Sequence, residues 1–363
     1  MLMVAPSSLP VLIIRASLND SKSEVAMNCH FVSVSFALRQ WDFLPYRQLP
    51  AGVGKYYILN YQIQELEMAV TPDPRLIYGK DVRSKILDQV KIDIERLSRK
   101  RAVGRLVSVA IGDIEEISVY IRGQARAAAK VGLPFDEQHW PAALTQDECK
   151  QRLVAMNDDP DVIGVILQRP VPDHINVRSL QSAIHPLKDV EGMNPASIGN
   201  IVYNETALAP CTAAASVEMI KETGLDMQGL EVVMVGHSEI VGKPAAFMLM
   251  AEGATVTVCH HMTRSVAAHT RRADAVLVAV GVPGLLTADM VKPGAAVIDI
   301  GINQITDQDG NAKIVGDADT DAVAGVASWT TPVPGGVGPV TVAMLMRNAS
   351  RAFEKQIELG WMN

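Results

Sequence analysis

The chain has 363 residues, 48% of them hydrophobic and 5% aromatic, which is enough for two globular domains. Its 33 Lys and Arg against 40 Asp and Glu give a formal net charge of −7, without a basic stripe. A nucleic-acid partner is therefore not expected, because phosphate recognition needs concentrated positive charge. A membrane partner is not expected either, since no run of about eighteen apolar residues occurs.

The four cysteines lie far apart and form neither a C-x-x-C pair nor a disulfide framework. They are Cys29, Cys149, Cys211 and Cys259. Wide, irregular spacing is typical of proteins from reducing compartments, so we expect a cytoplasmic protein.

Residues 1–67 differ in pattern from the rest of the chain. Their apolar patch lacks the basic flank and the cleavage site of a secretory signal, and a transit peptide would carry more Arg and Lys. From Met68 onward, turn residues and amphipathic periodicity become regular. We predict that Met68 is the natural start and that residues 1–67 are an extension, disordered or untranslated; a real but poorly ordered appendage is the alternative.

Helices and strands alternate in the next part of the chain, which predicts a parallel α/β architecture. A helix over residues 81–101 carries apolar residues three and four apart, and a second runs from Tyr120 to Lys130. The β-branched runs "RLVSVAIG" and "VIGVILQRPVP" predict buried strands, the second ended by prolines. The buried side of the first helix is predicted to hold Val82, Ile86, Val90, Ile94 and Leu97.

A second set of units begins near residue 206. Pro210, Thr212 and an alanine run predict a capped helix start, and a strand, glycine turn, helix and strand follow as one βαβ unit. "ADAVLVAVG" and "AAVIDIGIN" predict two further buried strands, and the "FMLM" run is interpreted as core. We therefore predict two domains, 68–205 and 206–339, with a C-terminal helix over 340–360 packing back on the first.

The turn "VVMVGHSEIVGKP" favours a nucleotide-binding loop. Its glycines, Gly236 and Gly242, are spaced more widely than in G-x-G-x-x-G, and the helix that follows would point its positive end at a phosphate. A plain strand-to-helix turn in a structural domain is the alternative. At the end of the next strand no acid is available for a ribose hydroxyl, while Arg264 is close by, which favours NADP and leaves NAD possible.

Three histidines in this region, His237, His260 and His261, resemble a metal cluster. Two are adjacent, but the third lies a strand and a helix away, so we predict no metal and expect surface or cofactor contacts instead. Cys211 and Cys259 are interpreted as small buried residues rather than nucleophiles.

A set of segments in order carries a family resemblance. They are "SVYIRGQARAAAKVGL", "VILQRPVPDHI", "HPLKDVEGMNP", "VMVGHSEIVGKP" and "TPVPGGVGPVTVAML". From about Leu76 to the C-terminus, about 290 residues, the chain resembles methylenetetrahydrofolate dehydrogenase/cyclohydrolase, the FolD-type bifunctional enzyme of one-carbon metabolism. The resemblance implies a folate domain, a Rossmann-like NAD(P) domain, a cleft between them, a homodimer and a tetrahydrofolate derivative as substrate.

The resemblance also implies roles for residues on the substrate side. Tyr120 matches the tyrosine that stacks on the pterin, and Gln124 stands where the family has the acid/base lysine of the cyclohydrolase. Gln168 matches the family glutamine, and Glu191 replaces the aspartate that anchors folate. Further substrate contacts fall on Pro170, Pro332, Gly335 and Gly336.

On the cofactor side, the family's G-R-S loop becomes Gly236, His237 and Ser238, so its arginine is replaced. The "DPAS" that precedes the family tyrosine is also missing, with residues 114–117 in its place. The remaining cofactor contacts implied are Val241, Gly242, Lys243, Pro244, His261, Arg264 and Ile302.

The chemistry at Gln124 separates the two family reactions. Hydride transfer needs geometry and exclusion of water, whereas hydrolysis of the methenyl product needs a group that moves a proton, and an amide has no accessible pKa. We predict an NADP-dependent dehydrogenase whose cyclohydrolase step is weak or lost. A fully bifunctional enzyme using another group, and a non-catalytic folate-binding protein, are the alternatives.

Each of these residues also has a plainer interpretation. Gln124 would be an exposed helix residue if the register were shifted, and Lys130 could replace the lost lysine. Tyr120 could be a packed core aromatic, and Glu191 a solvated loop acid.

Overall fold

The computed structural model describes residues 76–112, 115–306 and 310–361, and near the N-terminus one antiparallel β-ribbon. This ribbon pairs β1 (Met27–Cys29) with β2 (Val32–Val34). The chain divides into two compact units, Met1–Val70 and Thr71–Asn363. Apart from the ribbon, the predicted extension over residues 1–67 lies outside the described residues and stays a prediction.

The second unit begins with a lobe built on a three-stranded parallel sheet. Its strands are β3 (Arg105–Ile111), β4 (Phe135–Trp140) and β5 (Val162–Leu167), in the order β4-β3-β5. Its helices are α1 (Gly79–Ser98), α2 (Glu115–Val131), α3 (Gln146–Asn157), α4 (Val177–Ala183) and α5 (Pro195–Val202). β5 is buried along its whole length and β3 everywhere except at Arg105, as expected for apolar strands covered on both faces.

The second lobe of this unit is built on a five-stranded parallel sheet in the order β12-β9-β8-β6-β7. These strands are β6 (Glu231–Val235), β7 (Thr255–Cys259), β8 (Ala275–Val278), β9 (Ala296–Asp299) and β12 (Trp329–Thr330). An antiparallel ribbon pairs β10 (Asn303–Thr306) with β11 (Ala312–Val315). The helices are α6 (Cys211–Lys221), α7 (Gly242–Ala251), α8 (Ala267–Thr270), α9 (Thr320–Ala324) and α10 (Val337–Glu358).

Helices α1 and α10 lie against each other and join the cores of the two lobes. Val82 and Met344 belong to the core between the helices and the five-stranded sheet. Leu87 and Phe353, further along the same helices, belong to the core that covers the three-stranded sheet. The predicted α/β fold with two parallel-sheet domains is confirmed.

Local details differ from the sequence prediction. Helix α2 begins at Glu115 rather than Tyr120, and Pro210 precedes α6 without any side-chain cap. The "FMLM" run is only half core, because Phe247 and Met250 are 38% and 45% exposed. Within the described residues, every helix is too short or too polar to cross a bilayer.

Candidate active site

A network of side-chain hydrogen bonds joins three elements of the first lobe. Gln168 follows β5 directly, and its Nε2 donates to Ser108 Oγ on β3 at 2.9 Å and to Gln124 Oε1 on α2 at 2.7 Å. Gln168 is only 6% exposed, so both bonds hold a buried amide. Because the Gln124 oxygen accepts from Gln168, its NH₂ group is the part of that side chain that can donate to a ligand.

The surroundings of Gln124 decide between the alternatives raised by the sequence. Gln124 is half-buried and bonded, so the interpretation of a free surface residue in a shifted register is wrong. Lys130 is exposed, and its Nζ lies 3.1 Å from the carboxylate of Asp88 on α1. Tyr120, one turn before Gln124, is 61% exposed, so it is not a core aromatic. Its stacking on a pterin stays a prediction.

Glu191 places a carboxyl beside the same strand end. Its Oε2 accepts a hydrogen bond from the backbone N–H of Leu167 at 2.8 Å, and the side chain is half-buried. Burial raises the pKa of Glu191 to about 7, against smaller lowering effects of the Arg169 charge and the Leu167 hydrogen bond. Glu191 is therefore not a solvated loop acid, and it changes its protonation state near neutral pH.

Asn348, which the sequence analysis missed, fixes the backbone next to Glu191. From α10 its Nδ2 donates to the carbonyl oxygens of Val190 at 3.0 Å and Ala209 at 2.8 Å. Gly192 lies close to the same backbone, and a Cβ on it would come within 2.4 Å of the Ala209 backbone. The only sequence signal was a polar residue on the apolar face of a helix.

The loop between β12 and α10 contacts the first turn of α1. The Gly79 N–H donates to the Gly335 carbonyl at 2.8 Å, and a Cβ on Gly79 would lie 1.9 Å from the Gly336 oxygen. Pro332 is half-buried in this loop, while Pro170, after Gln168, is exposed. Their contacts with substrate stay predictions.

The glycine turn of the second lobe is tightly closed. Gly236 has φ of +123°, and a Cβ there would lie 2.2 Å from the Ala279 oxygen; at Gly242 it would lie 2.2 Å from the Gly236 oxygen. Ser238 Oγ accepts from the Val241 N–H at 3.1 Å, and the ten-residue helix α7 starts at Gly242. Only glycine fits both positions, so the backbone itself forms the loop surface.

The histidines predicted to be far apart lie together. Ring centroids of His237 and His260 are 4.6 Å apart, and those of His237 and His261 are 6.1 Å apart. Separation along the sequence does not keep them apart, because β6 and β7 are parallel neighbours, with Val235 beside Cys259, and end at the same edge; the prediction that they hold no metal stays a prediction.

The remaining predicted cofactor contacts lie at the surface or in the first turn of α7. Lys243 and Arg264 are exposed, Pro244 is buried, and Ile302 is 61% exposed between β9 and β10. Whether these residues touch a cofactor stays a prediction.

Two buried carboxylates, also missed, hold the neighbouring loops. Asp317 Oδ2 accepts from the N–H groups of Val280 at 2.6 Å and Gly281 at 2.9 Å, immediately after β8. Asp299 accepts from the Asp317 N–H at 3.0 Å and the Ala318 N–H at 2.8 Å, and burial raises its pKa to about 6. The two acids are 18 residues apart in the sequence, so no local pattern marked the pair.

Cys149, Cys211 and Cys259 are free thiols. Burial raises the pKa of each, so all three stay protonated at neutral pH. This supports their interpretation as packing residues.

The donor set at the edge of the second sheet fits a phosphorylated dinucleotide. A helix N-terminus, a lysine and three imidazoles meet there, and the turn after β7 contains no acid. Together with the buried polar network of the first lobe, this defines a two-lobed, dinucleotide-dependent enzyme.

Comparison with known families identifies which one. Residues 77–191 match the model of the tetrahydrofolate dehydrogenase/cyclohydrolase catalytic domain, and residues 210–357 match that of its NAD(P)-binding domain. The chain belongs to this family.

Relatives and solved structures agree with this assignment. The chain is 72% identical over 289 residues to bifunctional protein FolD 3 of Roseobacter denitrificans, covering 80% of this chain and 99% of the relative. It is 66% identical to bifunctional protein FolD of Rhodobacter capsulatus, covering 81% and 98%. The crystal structure of the Campylobacter jejuni FolD enzyme aligns with a TM-score of 0.73 at 36% identity, covering 77% and 99%. A Trypanosoma brucei FolD, complexed with NADP cofactor and inhibitor, aligns with a TM-score of 0.72 at 33% identity, covering 78% and 98%.

Proposed function

We propose that this protein oxidises 5,10-methylenetetrahydrofolate to 5,10-methenyltetrahydrofolate with NADP, and that its cyclohydrolase step is weak or lost. The observation that carries the proposal is the amide pair of Gln124 and Gln168 at 2.7 Å. It occupies the place that the family resemblance gives to a lysine and its partner. Neither amide ionises, so this pair offers hydrogen bonds and no proton transfer.

In the first reaction, the protein has to position the pterin and the nicotinamide for hydride transfer. When bound, the nicotinamide of NADP supplies the hydride acceptor. The exposed ring of Tyr120 offers a flat face on which a pterin can stack, and Gln124 can donate to its polar edge. The Glu191 carboxyl accepts hydrogen bonds when it is ionised and can donate one when it is protonated. No side chain has to change its charge for the hydride to move.

The second reaction needs a proton-transfer group as well as correct positioning. Hydrolysis of the methenyl product requires an activated water and a proton delivered as the ring opens. General acid/base help of this kind is typically worth about 100- to 10,000-fold in rate. Gln124 cannot provide it, and Lys130 is paired with Asp88 on α1.

A fully bifunctional enzyme is the second candidate. Glu191 favours it, because a carboxyl with a pKa of about 7 beside Gln168 can exchange a proton at neutral pH. The relatives named above are also described as bifunctional.

A two-step absorbance assay with purified protein tests the proposal. Methylenetetrahydrofolate is mixed with NADP, and NADPH and the methenyl product are followed together. NADPH formation with accumulating methenyl product is the expected result. NADPH without accumulation supports the bifunctional enzyme, and no NADPH contradicts both. Repeating the assay with NAD tests the cofactor preference.

The proposal extends to assembly and location. β7 is the end strand of its sheet, and Val258 on it is 41% exposed; α7, which packs against β7, also exposes Phe247 and Met250. This surface supports a homodimer through the second lobe, which sedimentation equilibrium tests. Free thiols support a cytoplasmic location. We keep 68–205, 206–339 and 340–360 as domain boundaries.

A further inference from the structure

Three imidazoles form a compact group at the carboxyl edge of β6 and β7. His237 belongs to the glycine turn after β6, and His260 and His261 to the turn after β7. One ring nitrogen from each lies within 4.8 Å of the others, with His237 and His261 exposed and His260 half-buried. A small ligand from solvent can therefore touch all three rings.

A hydrogen bond at His260 decides which kind of ligand suits the group. The backbone N–H of Met262 donates to His260 Nδ1 at 3.1 Å, so the lone pair of Nδ1 is in use. The neutral ring then carries its proton on Nε2 and presents a donor. A metal ion on Nε2 would need a lone pair there, which the ring does not have while Nδ1 accepts. A hydrogen-bond donor at His260 Nε2 therefore suits an anion rather than a metal ion.

The three rings also lie close to one another. Centroids of His260 and His261 are 5.8 Å apart, and both lie near His237. Desolvation and the charges of His260, Lys243 and His261 lower the pKa of His237. Like charges at this spacing titrate as a coupled group and take up protons more readily when an anion is present.

The other charged groups of these turns are Lys243, Arg264 and Glu239. Glu239, in the turn after β6, forms an ion pair with Arg178 of α4 at 2.5 Å. The imidazoles are therefore the groups that can make this edge pH-dependent.

We propose that His237, His260 and His261 form an anion subsite for the 2′-phosphate of NADP, in which neutral His260 donates from Nε2 and His237 takes up a proton when the phosphate binds, so that the preference for NADP over NAD increases as pH falls. The inference rests on the proposed use of NADP. What it adds is a regulated choice of cofactor: the arginine that the family resemblance places at residue 237 would be charged at every pH, and histidine is not.

Linkage sets the size of the effect. If one extra proton is bound with the 2′-phosphate, its contribution to affinity changes about tenfold for each pH unit between the free and bound pKa values. The phosphate itself has a second pKa of about 6, so the test belongs above pH 6.5, where the ligand stays a dianion. NAD lacks this phosphate, so groups that both cofactors contact cancel in a ratio.

The experiment measures kcat/KM for NADP and for NAD from pH 6.5 to 8.5 on the full chain. We expect the NADP/NAD ratio to fall at least about tenfold across this range. His237→Arg should keep the ratio high and flat, and His237→Gln should lower it most at pH 6.5. His139→Gln, which removes an exposed histidine of β4 paired with Glu137, should leave the ratio and its slope unchanged. A ratio that is independent of pH in the wild type overturns the inference.

A binding measurement separates this inference from the proposed function. Calorimetric titration with 2′,5′-ADP, in two buffers of different ionisation enthalpy, should show net proton uptake at pH 7.5. Binding without proton uptake overturns the inference while leaving NADP use intact. Failure to reduce NADP at any pH contradicts the proposed function instead. Micromolar Zn²⁺ that binds through these histidines and displaces 2′,5′-ADP would identify a metal site and would also overturn the inference.

Discussion

The two ends of the candidate site differ in what can ionise. At the substrate end, Gln124 and Gln168 form a neutral amide pair where the family resemblance places a lysine. At the cofactor end, His237 stands in place of an arginine that is always charged, beside two more imidazoles. Relative to the family pattern, the substrate end has an amide in place of a lysine, and the cofactor end has a histidine in place of an arginine.

This contrast teaches that one scaffold can separate placement from proton chemistry. Under the proposed function, the substrate end keeps hydrogen-bonding groups for a pterin and lacks the group that would open the product ring. Under the further inference, the cofactor end keeps positive charge for a phosphate and makes it depend on pH. Because each substitution acts locally, each end can be tested without disturbing the other.

The largest expected effect comes from restoring an ionisable group at the substrate end. Gln124→Lys should raise cyclohydrolase activity about 100- to 10,000-fold, because an amine that can move a proton replaces an amide. The decay of methenyltetrahydrofolate absorbance measures it directly.

Lys130→Gln is the matched control, since it removes the amine that is paired with Asp88. It should leave hydrolysis at its original level. Rapid hydrolysis by the unmodified protein would break the comparison, and so would a Gln124→Lys variant that folds and binds folate without any gain.

A second prediction concerns the loop at the cofactor end. Asp317→Ala removes the acceptor of the Val280 and Gly281 N–H groups. The free energy of unfolding should fall by about 1–3 kcal/mol, because the N–H of half-buried Val280 loses its partner, whereas Gly281 is exposed enough for water to replace its bond. Denaturant titration measures the loss, and NADP binding should weaken more than folate binding.

Asp321→Ala in the first turn of α9 is the control for this variant, because its side chain is exposed. Its unfolding free energy should stay within about 0.5 kcal/mol of the wild type. An equally stable Asp317→Ala variant would show that water or another group satisfies these N–H groups.

Where periodicity was strong, the sequence was enough for the fold. The apolar spacing of α1 and the β-branched runs of β3 and β5 predicted elements that the structure contains. β4 was missed because "FDEQHW" is a polar edge strand with one buried residue. α3 was also missed, although Thr145 and Glu148 form a capping box that is visible as T-x-x-E.

The site divides in the same way. The substitution at Gln124 could be found from its spacing to Tyr120, since residues four apart share a helix face. The closeness of His237 to His260 could not be predicted from the sequence, because it depends on which strands of the sheet are neighbours. The pairing of Asp299 with Asp317 depends on a contact between the end of β9 and the second residue after β11, which no local pattern records.

The smallest expected effect sharpens the comparison through the one acid at the substrate end. The pKa of Glu191 is raised from 4.5 to about 7 in the folded protein. Below pH 4.5 the carboxyl is protonated in both states and costs nothing. As pH rises towards 7 the unfolded chain ionises first, so stability is lost, by at most about 3 kcal/mol because the side chain is partly exposed.

Glu191→Gln should remove this loss and retain an oxygen that accepts from the Leu167 N–H. We expect the variant to gain stability relative to the wild type between pH 5 and pH 8, measured by urea titration at each pH. Glu358→Gln, at the exposed end of α10, should show no such gain. If the Glu191 variant follows the pH profile of the wild type, the carboxyl is already ionised below neutrality. The substrate end would then hold no group poised to exchange a proton, which would weaken the case for a bifunctional enzyme.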